Sequence, residues 1–202
     1  ARLRGPHITP GYWRQDSHTR DAFDDDGFYK IGDALKFADP SDPGKGLLFD
    51  GRIAEDFKLN TGTWASIGPL RARFIDHSTP YVRDVVFTGA DRDFIGALVF
   101  PDIEACRKLA GLGAEASAAA VIEAPHVRAR FAELATALAA QAQGSSMRVA
   151  RLLPMVEPPS LDKGEMTDKG SINQRAVLAS RAGLAEEIYK EPPAKAVVAI
   201  SK

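Results

Sequence analysis

Acidic side chains form the first candidate site in the sequence, the stretch DDDGFYKIGD at residues 24–33. Three consecutive aspartates precede Gly27, a combination that occurs in loops that bind calcium. A calcium loop also needs alternating oxygen ligands and a later bidentate glutamate, and neither follows at the required spacing. We therefore predict a solvated turn at the three aspartates. The last acid of the stretch, Asp33, remains a separate candidate.

The other residues whose side chains could take part in catalysis or binding give weak signals when they are taken alone. Cys106 lies within a predicted helix, where packing is a more common role than nucleophilic attack. The charged run from Asp162 to Lys169 is typical of an exposed loop. The sequence contains no phosphate loop of the Walker type and no strand-linked GxGxxG. The histidines have no pair at ligand spacing, so we predict no structural metal site; they are His7, His18, His77 and His126.

Composition narrows the class of protein. Of the 202 residues, 45% are apolar and 26% charged, as in ordinary globular proteins. The 26 basic and 27 acidic side chains nearly cancel, which disfavours nucleic acid as a main partner. A single cysteine favours a reducing compartment, and no stretch has the length of a signal peptide core or a spanning helix. These features predict a soluble, cytoplasmic protein.

The elements that would position the candidate residues change in character near residue 50. The first fifty residues are rich in Gly, Pro and Asp, and they predict only short strands near Gly27–Ile31, Asp33–Ala38 and Leu47–Asp50. Such a segment is not expected to form a hydrophobic core alone. We interpret it as the edge of a larger structure.

The remainder predicts a compact α+β domain of about 150 residues, in which strands and helices are mixed. Two strands, LLFDGRI and FKLNTGTWASI, are joined by the link Ala54-Glu55-Asp56, and Pro69 opens a helix. RDVVFTG and DFIGALVFP predict a hairpin of core strands, and RVARLLP predicts a later strand. The predicted helices are Ile103–Leu109, one around Ala114–Ala119, Pro125–Gln143, and one capped by Ser171 that runs to about Tyr189.

The order of three short motifs resembles the adenylate-forming superfamily, which contains acyl- and aryl-CoA synthetases, luciferases and peptide-synthetase adenylation domains. The motifs are GPHITPGYW (5–13), DGFYKIGD (26–33) and FDGRIAEDFKLNTGTW (49–64), and they are followed by GEMTDKGSINQRAVL (164–178). The last is most similar to feruloyl-CoA synthetases and related acid:CoA ligases. The resemblance implies that residues 1–50 are the end of a large N-terminal domain and that residues 51–202 are the small, mobile, mixed-sheet C-terminal domain.

The resemblance also implies a two-step reaction. A carboxylate attacks the α-phosphate of ATP to give acyl-AMP and pyrophosphate, and the thiol of coenzyme A then displaces AMP. The implied partners are a small carboxylic acid, ATP, coenzyme A and the protein's own N-terminal domain, which would hold most of the Mg²⁺ ligands and the acyl pocket. This chain alone is expected to be inactive.

Three residues match nucleotide- or acceptor-binding positions of that superfamily. Asp33 ends YKIGD, where the family aspartate binds the ribose hydroxyls, although Ile31 replaces the usual threonine. Arg52, in DGR, matches the arginine that contacts the nucleotide. Gly62 matches a glycine beside which pantetheine passes, a role that suits a residue without a side chain.

The hinge and the catalytic lysine are less sharply located. The family hinge follows the matched arginine, and it falls here among Ala54, Glu55 and Asp56. The family lysine stabilises charge during adenylation. Aligning the glycine puts Ser171 at the lysine position, whereas a two-residue shift selects Lys169, our preferred candidate, with Lys163 as an alternative.

The leading expectation is therefore the C-terminal region of an acid:CoA ligase, for an aromatic or medium-chain acid such as a feruloyl-type substrate. Two alternatives stay open. The acyl group could pass to a carrier protein rather than to coenzyme A. The chain could also be an interaction module that kept the fold and lost the chemistry.

Overall fold

The computed structural model describes residues 1–200. The chain forms two compact units, Ala1–Ala54 and the part that begins at Glu55. We refer to them as the first unit and the small unit and describe each by itself. Within the described residues, no helix is long and apolar enough to cross a membrane.

The first unit consists of short elements joined by turns. Its elements are β1 (Arg2–Leu3), α1 (Asp16–Ala22), β2 (Tyr29–Lys30), β3 (Asp33–Phe37) and β4 (Leu47–Arg52). β1 pairs with β2 and β3 pairs with β4, both antiparallel. No apolar side chain of this unit is fully buried, so it forms little core of its own.

The small unit contains a four-stranded mixed sheet with helices on both faces. The strands of the small unit are β5 (Phe57–Lys58), β6 (Trp64–Ala65), β7 (Val82–Thr88), β8 (Ile95–Pro101), β9 (Val149–Pro154) and β10 (Val198–Ala199). Its helices are α2 (Ile67–Ser78), α3 (Ile103–Ala110), α4 (Ala118–Glu123), α5 (Pro125–Ala140), α6 (Gln174–Ser180) and α7 (Ala182–Glu187). The sheet order is β10-β9-β8-β7, with β8 and β9 parallel and the other pairs antiparallel. The α+β class and the mixed sheet are as predicted.

Alternating side chains of the sheet build two cores. On β7, Val85 and Phe87 pack into one cluster with Phe74 of α2 and Phe131 of α5. Val86 points to the other face and packs in a second cluster that includes α6 and α7 residues. The period of two along a strand thus explains why apolar residues run continuously here, as expected for a sheet covered on both sides.

Most predicted elements of the small unit are confirmed, including the β7–β8 hairpin and a helix that begins at Pro125. The helix predicted around Ala114–Ala119 is wrong in position, because the side chain of Ser117 caps a helix that begins one residue later. The prediction of Ser171 as a helix cap is also wrong. Asn173 is the cap, since its Oδ1 accepts a hydrogen bond from the amide of Ala176 at 3.2 Å.

The long final helix is interrupted. Arg181 has φ −114° and ψ 29°, outside the helical region, and it separates α6 from α7. Its guanidinium group turns towards the loop that precedes α6, and this contact belongs to the candidate site.

Candidate functional site

Asp33 and Arg52, the two predicted nucleotide-binding residues, are neighbours across the β3–β4 hairpin. They lie 19 positions apart in the sequence, yet their Cα atoms are register partners. Directly opposed side chains of an antiparallel pair share a face and lie roughly 5 Å apart at Cβ. Within residues 1–200, neither side chain forms an ion pair or a hydrogen bond with another residue. A carboxylate acceptor and a guanidinium donor are therefore presented side by side.

A β-bulge accounts for the direction of Arg52. The register shifts by one residue between Asp33 and Leu35, so Asp50 and Gly51 lie opposite a single residue of β3. Gly51 is buried and has φ +109°, a conformation that glycine adopts much more readily than residues with a Cβ. Bulges of this kind redirect the side chain that follows them. The glycine of DGR thus has a structural role next to the arginine.

Gly62 lies at the tip of the β5–β6 hairpin in the small unit. Its φ is +85°, and its amide donates to the carbonyl of Leu59 at 2.9 Å. A Cβ added at this position would meet only the end of the Lys58 side chain, at 3.8 Å. The neighbouring Trp64 is 65% exposed. The tip is therefore open, with room for a chain-like group to pass.

Lys169 lies at the exposed tip of a short loop. The loop is closed at its base by a bridge between Met166 and Ile172 and by a hydrogen bond from the Thr167 amide to the Ser171 carbonyl, 2.8 Å. The amide of Gly170 donates to the Thr167 carbonyl at 2.9 Å, which makes the tip a tight turn. Residues 166–172 are called the lysine loop below.

Lys163, the alternative lysine, is also exposed and lies in the preceding turn, where the Gly164 amide donates to the Leu161 carbonyl at 2.9 Å. Within the described part of the chain, neither Lys163 nor Lys169 forms an ion pair. Both ammonium groups are therefore available, and their positions do not choose between them.

Glu165, which the sequence placed in an exposed charged loop, is instead fully buried. Arg181 grips its carboxylate with two hydrogen bonds, Nε to Oε1 at 2.9 Å and Nη2 to Oε2 at 2.6 Å. The Ser160 amide donates to Oε2 at 2.8 Å and the Ser180 hydroxyl donates to Oε1. The same arginine also donates to the carbonyls of residues 157 and 158. Sequence reasoning missed this pair, and the only signal for it was an arginine inside the helix predicted to run to about Tyr189.

The contacts of Glu165 control its ionisation. The hydrogen bonds from Arg181 lower the pKa of the Glu165 carboxyl from 4.5 to about 2, and those from Ser180 and the Ser160 amide act in the same direction. Burial opposes them but is outweighed. The carboxylate is therefore ionised throughout the physiological range, and its charge is neutralised by Arg181.

A buried side-chain amide at the first residue of α6, two positions after the lysine loop, connects this helix to the predicted hinge. Gln174 donates from Nε2 to the carbonyl of Glu55 at 3.2 Å and accepts from the Phe87 amide at 3.3 Å. Asp56, another hinge candidate, accepts from the Ile67 amide at 2.8 Å and so holds the start of α2. Glu55 and Asp56 are thus tied to the core of the small unit.

The acidic cluster is a turn, as predicted. Asp24 accepts from the amides of Asp26 at 3.2 Å and Phe28 at 2.8 Å, and Arg2 donates to its other oxygen at 2.6 Å. The amide of Phe28 in particular lowers the pKa of the Asp24 carboxyl. Its oxygens are therefore occupied by donors. In the described residues, no group of three or more potential ligands lies close enough to hold a metal ion.

One groove of the small unit lies away from the predicted residues. It has a volume of about 990 Å³ and lies between the end of α5 and the β9–β10 edge, with Phe94, Arg148 and Arg151 in its wall. Arg151 is already occupied by Glu191 and by the carbonyls of residues 188 and 190. The groove contains none of the predicted site residues.

Comparison with known proteins decides the family. Residues 68–192 match the family model described as the AMP-binding enzyme C-terminal domain. This match covers more than half of the chain. The chain belongs to the AMP-binding enzyme C-terminal domain family. The resemblance to the C-terminal portion of adenylate-forming enzymes is therefore confirmed.

Named relatives of this AMP-binding C-terminal domain include acid ligases of two kinds. The chain is 28% identical over 193 residues to the long-chain-fatty-acid–CoA ligase FadD15 of Mycobacterium tuberculosis, covering 94% of this chain and 31% of that protein. It is 21% identical over 194 residues to the long-chain-fatty-acid–[acyl-carrier-protein] ligase AEE15 of Arabidopsis thaliana, covering 93% and 25%.

A solved structure shares the fold. It is the A domain of carboxylic acid reductase from Segniliparus rugosus, in complex with AMP and a co-purified carboxylic acid, with a TM-score of 0.71 at 23% identity. The likeness covers 93% of this chain and 27% of that one. The chain thus spans between a quarter and a third of the length of these relatives.

Proposed function

We propose that this chain is the C-terminal region of an ATP-dependent carboxylic acid:CoA ligase, which forms acyl-AMP and pyrophosphate and then acyl-CoA and AMP. The observation that carries the proposal is that Asp33 and Arg52 lie opposite each other across the β3–β4 hairpin. Each residue was selected by a separate motif, and the two side chains share a face without forming an ion pair. An aromatic acid of the feruloyl type is the proposed substrate class, on the resemblance of residues 164–178.

The chemistry of each side chain supports this role. The two oxygens of the Asp33 carboxylate can accept from two neighbouring ribose hydroxyls, and the fork of Arg52 can donate to ribose and phosphate oxygens. Lys169, on its exposed loop, would neutralise charge that develops on the α-phosphate and the attacking carboxylate. We keep Lys163 as the alternative for this last role.

The second step would use the small unit's hairpin. The open tip at Gly62 can admit the pantetheine arm of coenzyme A close to backbone. Mg²⁺, which accompanies ATP in such reactions, would be held chiefly by the large domain. We assign no residue of this chain to it.

The first unit has an exposed apolar surface that favours a large-domain partner. The side chains of Phe37, Leu47, Leu48 and Phe49 are between 50% and 62% exposed on the β3–β4 hairpin. Clustered apolar exposure of this kind marks a surface that another structure covers. We propose that the remainder of the protein's own large domain covers it, in line with the greater length of the relatives.

The hinge proposal narrows to the peptide between Ala54 and Glu55. The Glu55 carbonyl is held by Gln174, and Asp56 caps α2. Both residues would therefore move with the small unit, and the division into compact units also falls between Ala54 and Glu55. Hinges need only a few residues to absorb a domain rotation.

The decisive experiment measures pyrophosphate release by the full-length protein with a panel of aromatic and long-chain acids. Asp33→Asn and Arg52→Lys should each reduce kcat/KM for ATP by about 10- to 100-fold, because the first removes the charge from a contact worth roughly 1.5–3 kcal/mol and the second removes the two-donor fork of the guanidinium group. Asp42→Asn is the matched control, since Asp42 is an exposed carboxylate in the loop of the same hairpin. If the wild type forms pyrophosphate with no acid, the ligase proposal fails.

A carrier protein is the second candidate acceptor, because one relative is named as an acyl-carrier-protein ligase. The two acceptors separate in a direct test. The pre-formed acyl-adenylate enzyme is offered coenzyme A or a pantetheinylated carrier protein, and the thioester formed is measured. Preference for the carrier would replace coenzyme A in the proposal and leave the adenylation step intact.

A further inference from the structure

The base of the lysine loop is fixed by one buried ion pair. Glu165 immediately precedes the loop, and its backbone carbonyl accepts from the amide of Asn173, which immediately follows the loop, at 2.8 Å. Its side chain is held by Arg181 and Ser180 at the end of α6 and by the Ser160 amide in the loop that follows β9. Both ends of the loop thus converge on a single residue.

We propose that Glu165 and Arg181 are positioning residues for adenylation, which hold the lysine loop so that Lys169 reaches the reacting carboxylate and α-phosphate. This inference rests on the proposed ligase function. Neither residue can touch substrate itself, because the Glu165 side chain is 0% exposed and that of Arg181 is 8% exposed. They act through Lys169.

The fixed base explains how an exposed lysine can be held in a defined position. Lys169 projects from a tight turn closed by the Met166–Ile172 bridge, and Ile172 at the end of the loop packs in the second core cluster. A displacement of about 1 Å in a positioned catalytic group costs up to about 100-fold in rate. Loosening the Glu165 anchor would move the turn as a whole and leave its internal hydrogen bonds in place.

The test uses the full-length protein and compares Glu165→Gln with Asp84→Asn. The control variant breaks a similar bidentate pair, in which Arg71 donates to Asp84 at 2.8 and 2.6 Å between α2 and β7, away from the lysine loop. We expect Glu165→Gln to lower kcat for pyrophosphate release by about 10- to 100-fold and to leave the KM for ATP within about twofold. Thioester formation from supplied acyl-adenylate should change by less than about twofold in both variants.

A double variant separates positioning from general destabilisation. Because Glu165 acts through Lys169, the variant Glu165→Gln/Lys169→Ala should be no slower than Lys169→Ala alone. Multiplicative losses in the double variant, or equal losses in Glu165→Gln and Asp84→Asn, would overturn the proposal. So would loss of adenylation in Lys163→Ala together with normal adenylation in Lys169→Ala.

Two further measurements keep the test decisive. If Glu165→Gln does not fold, Ser180→Ala removes one hydrogen bond to Glu165 and should give a smaller loss of the same kind. Amide hydrogen exchange at Asn173, whose amide donates to the Glu165 carbonyl, should be at least about tenfold faster in Glu165→Gln than in Asp84→Asn. This exchange result tests the positioning role even if the wild type adenylates no acid. That outcome would contradict only the ligase proposal.

Discussion

Glu165→Gln should lower the free energy of unfolding of the small unit by about 3 kcal/mol at neutral pH. The fall in the carboxyl pKa from 4.5 to about 2 corresponds to roughly 3 kcal/mol of preference for the ionised form in the folded state. Breaking a buried pair by removing one charge typically costs about 3–5 kcal/mol, because the partner, here Arg181, is left without compensation. Glutamine keeps one acceptor, which favours the lower end of that range.

Native-state hydrogen exchange is the appropriate assay for Glu165→Gln. The amides of the central strand β8 exchange through unfolding of the small unit, so their rates report its stability without contributions from the first unit. Glu191→Gln is the control, since Glu191 also pairs with an arginine, Arg151, but its side chain is 70% exposed. Such a pair is worth at most about 1 kcal/mol. Equal small losses in the two variants would refute the reasoning from burial.

The dependence on pH provides an independent check on the same residue. A carboxyl group whose pKa is lowered in the folded state stabilises the protein fully above its unfolded pKa of 4.5, and this contribution is lost as the pH falls towards 2. The difference in stability between wild type and Glu165→Gln should therefore be constant above pH 5 and shrink between about pH 4.5 and 2. A difference that grows on acidification would contradict the assignment.

Three other changes have expected outcomes. Gly51→Ala places a Cβ at φ +109°, so the β3–β4 amides should exchange about 5- to 30-fold faster, from a cost of roughly 1–2 kcal/mol; unchanged exchange would argue against the bulge. Gln174→Leu leaves the Phe87 amide and the Glu55 carbonyl without this partner and should cost about 1–3 kcal/mol in β8 exchange, against less than about 0.5 for the exposed Gln141→Leu. Burial raises the pKa of the Cys106 thiol to about 11, so a thiol reagent at pH 8 should label it only at the rate of unfolding; rapid native labelling would show that the thiol is accessible.

Local patterns predicted the small unit well because its signals are strong. The β-branched runs of β7 and β8, and the apolar spacing behind Pro125, each indicate one kind of element, and the protein forms that element there. The misplaced helix starts have a common cause. Ser117 and Asn173 cap helices that were predicted to begin near Ala114 and after Ser171, and only the tertiary fold decides which polar side chain faces a free amide.

The candidate site was predicted unevenly, for physical reasons. Motif order located Asp33 and Arg52, but their pairing depends on a bulge of one residue, which the sequence indicates only through Gly51. The Glu165–Arg181 pair spans 16 positions and joins a loop to a helix interruption. Charge patterns along a sequence show which residues can ionise, and they do not show which carboxylate will be enclosed.

The enclosed carboxylate also bears on the proposed chemistry of Lys169. Glu165 lies four residues before this lysine, close enough along the chain that a free carboxylate would compete with substrate for the ammonium group. Arg181 prevents that competition, because its planar fork satisfies both carboxylate oxygens at 2.6 and 2.9 Å. Lysine could not replace it, since a single ammonium group cannot grip both oxygens and also reach the carbonyls of residues 157 and 158. The arginine thus occupies the carboxylate at the base of the loop, and the proposed role of Lys169 requires its ammonium group to stay free for substrate.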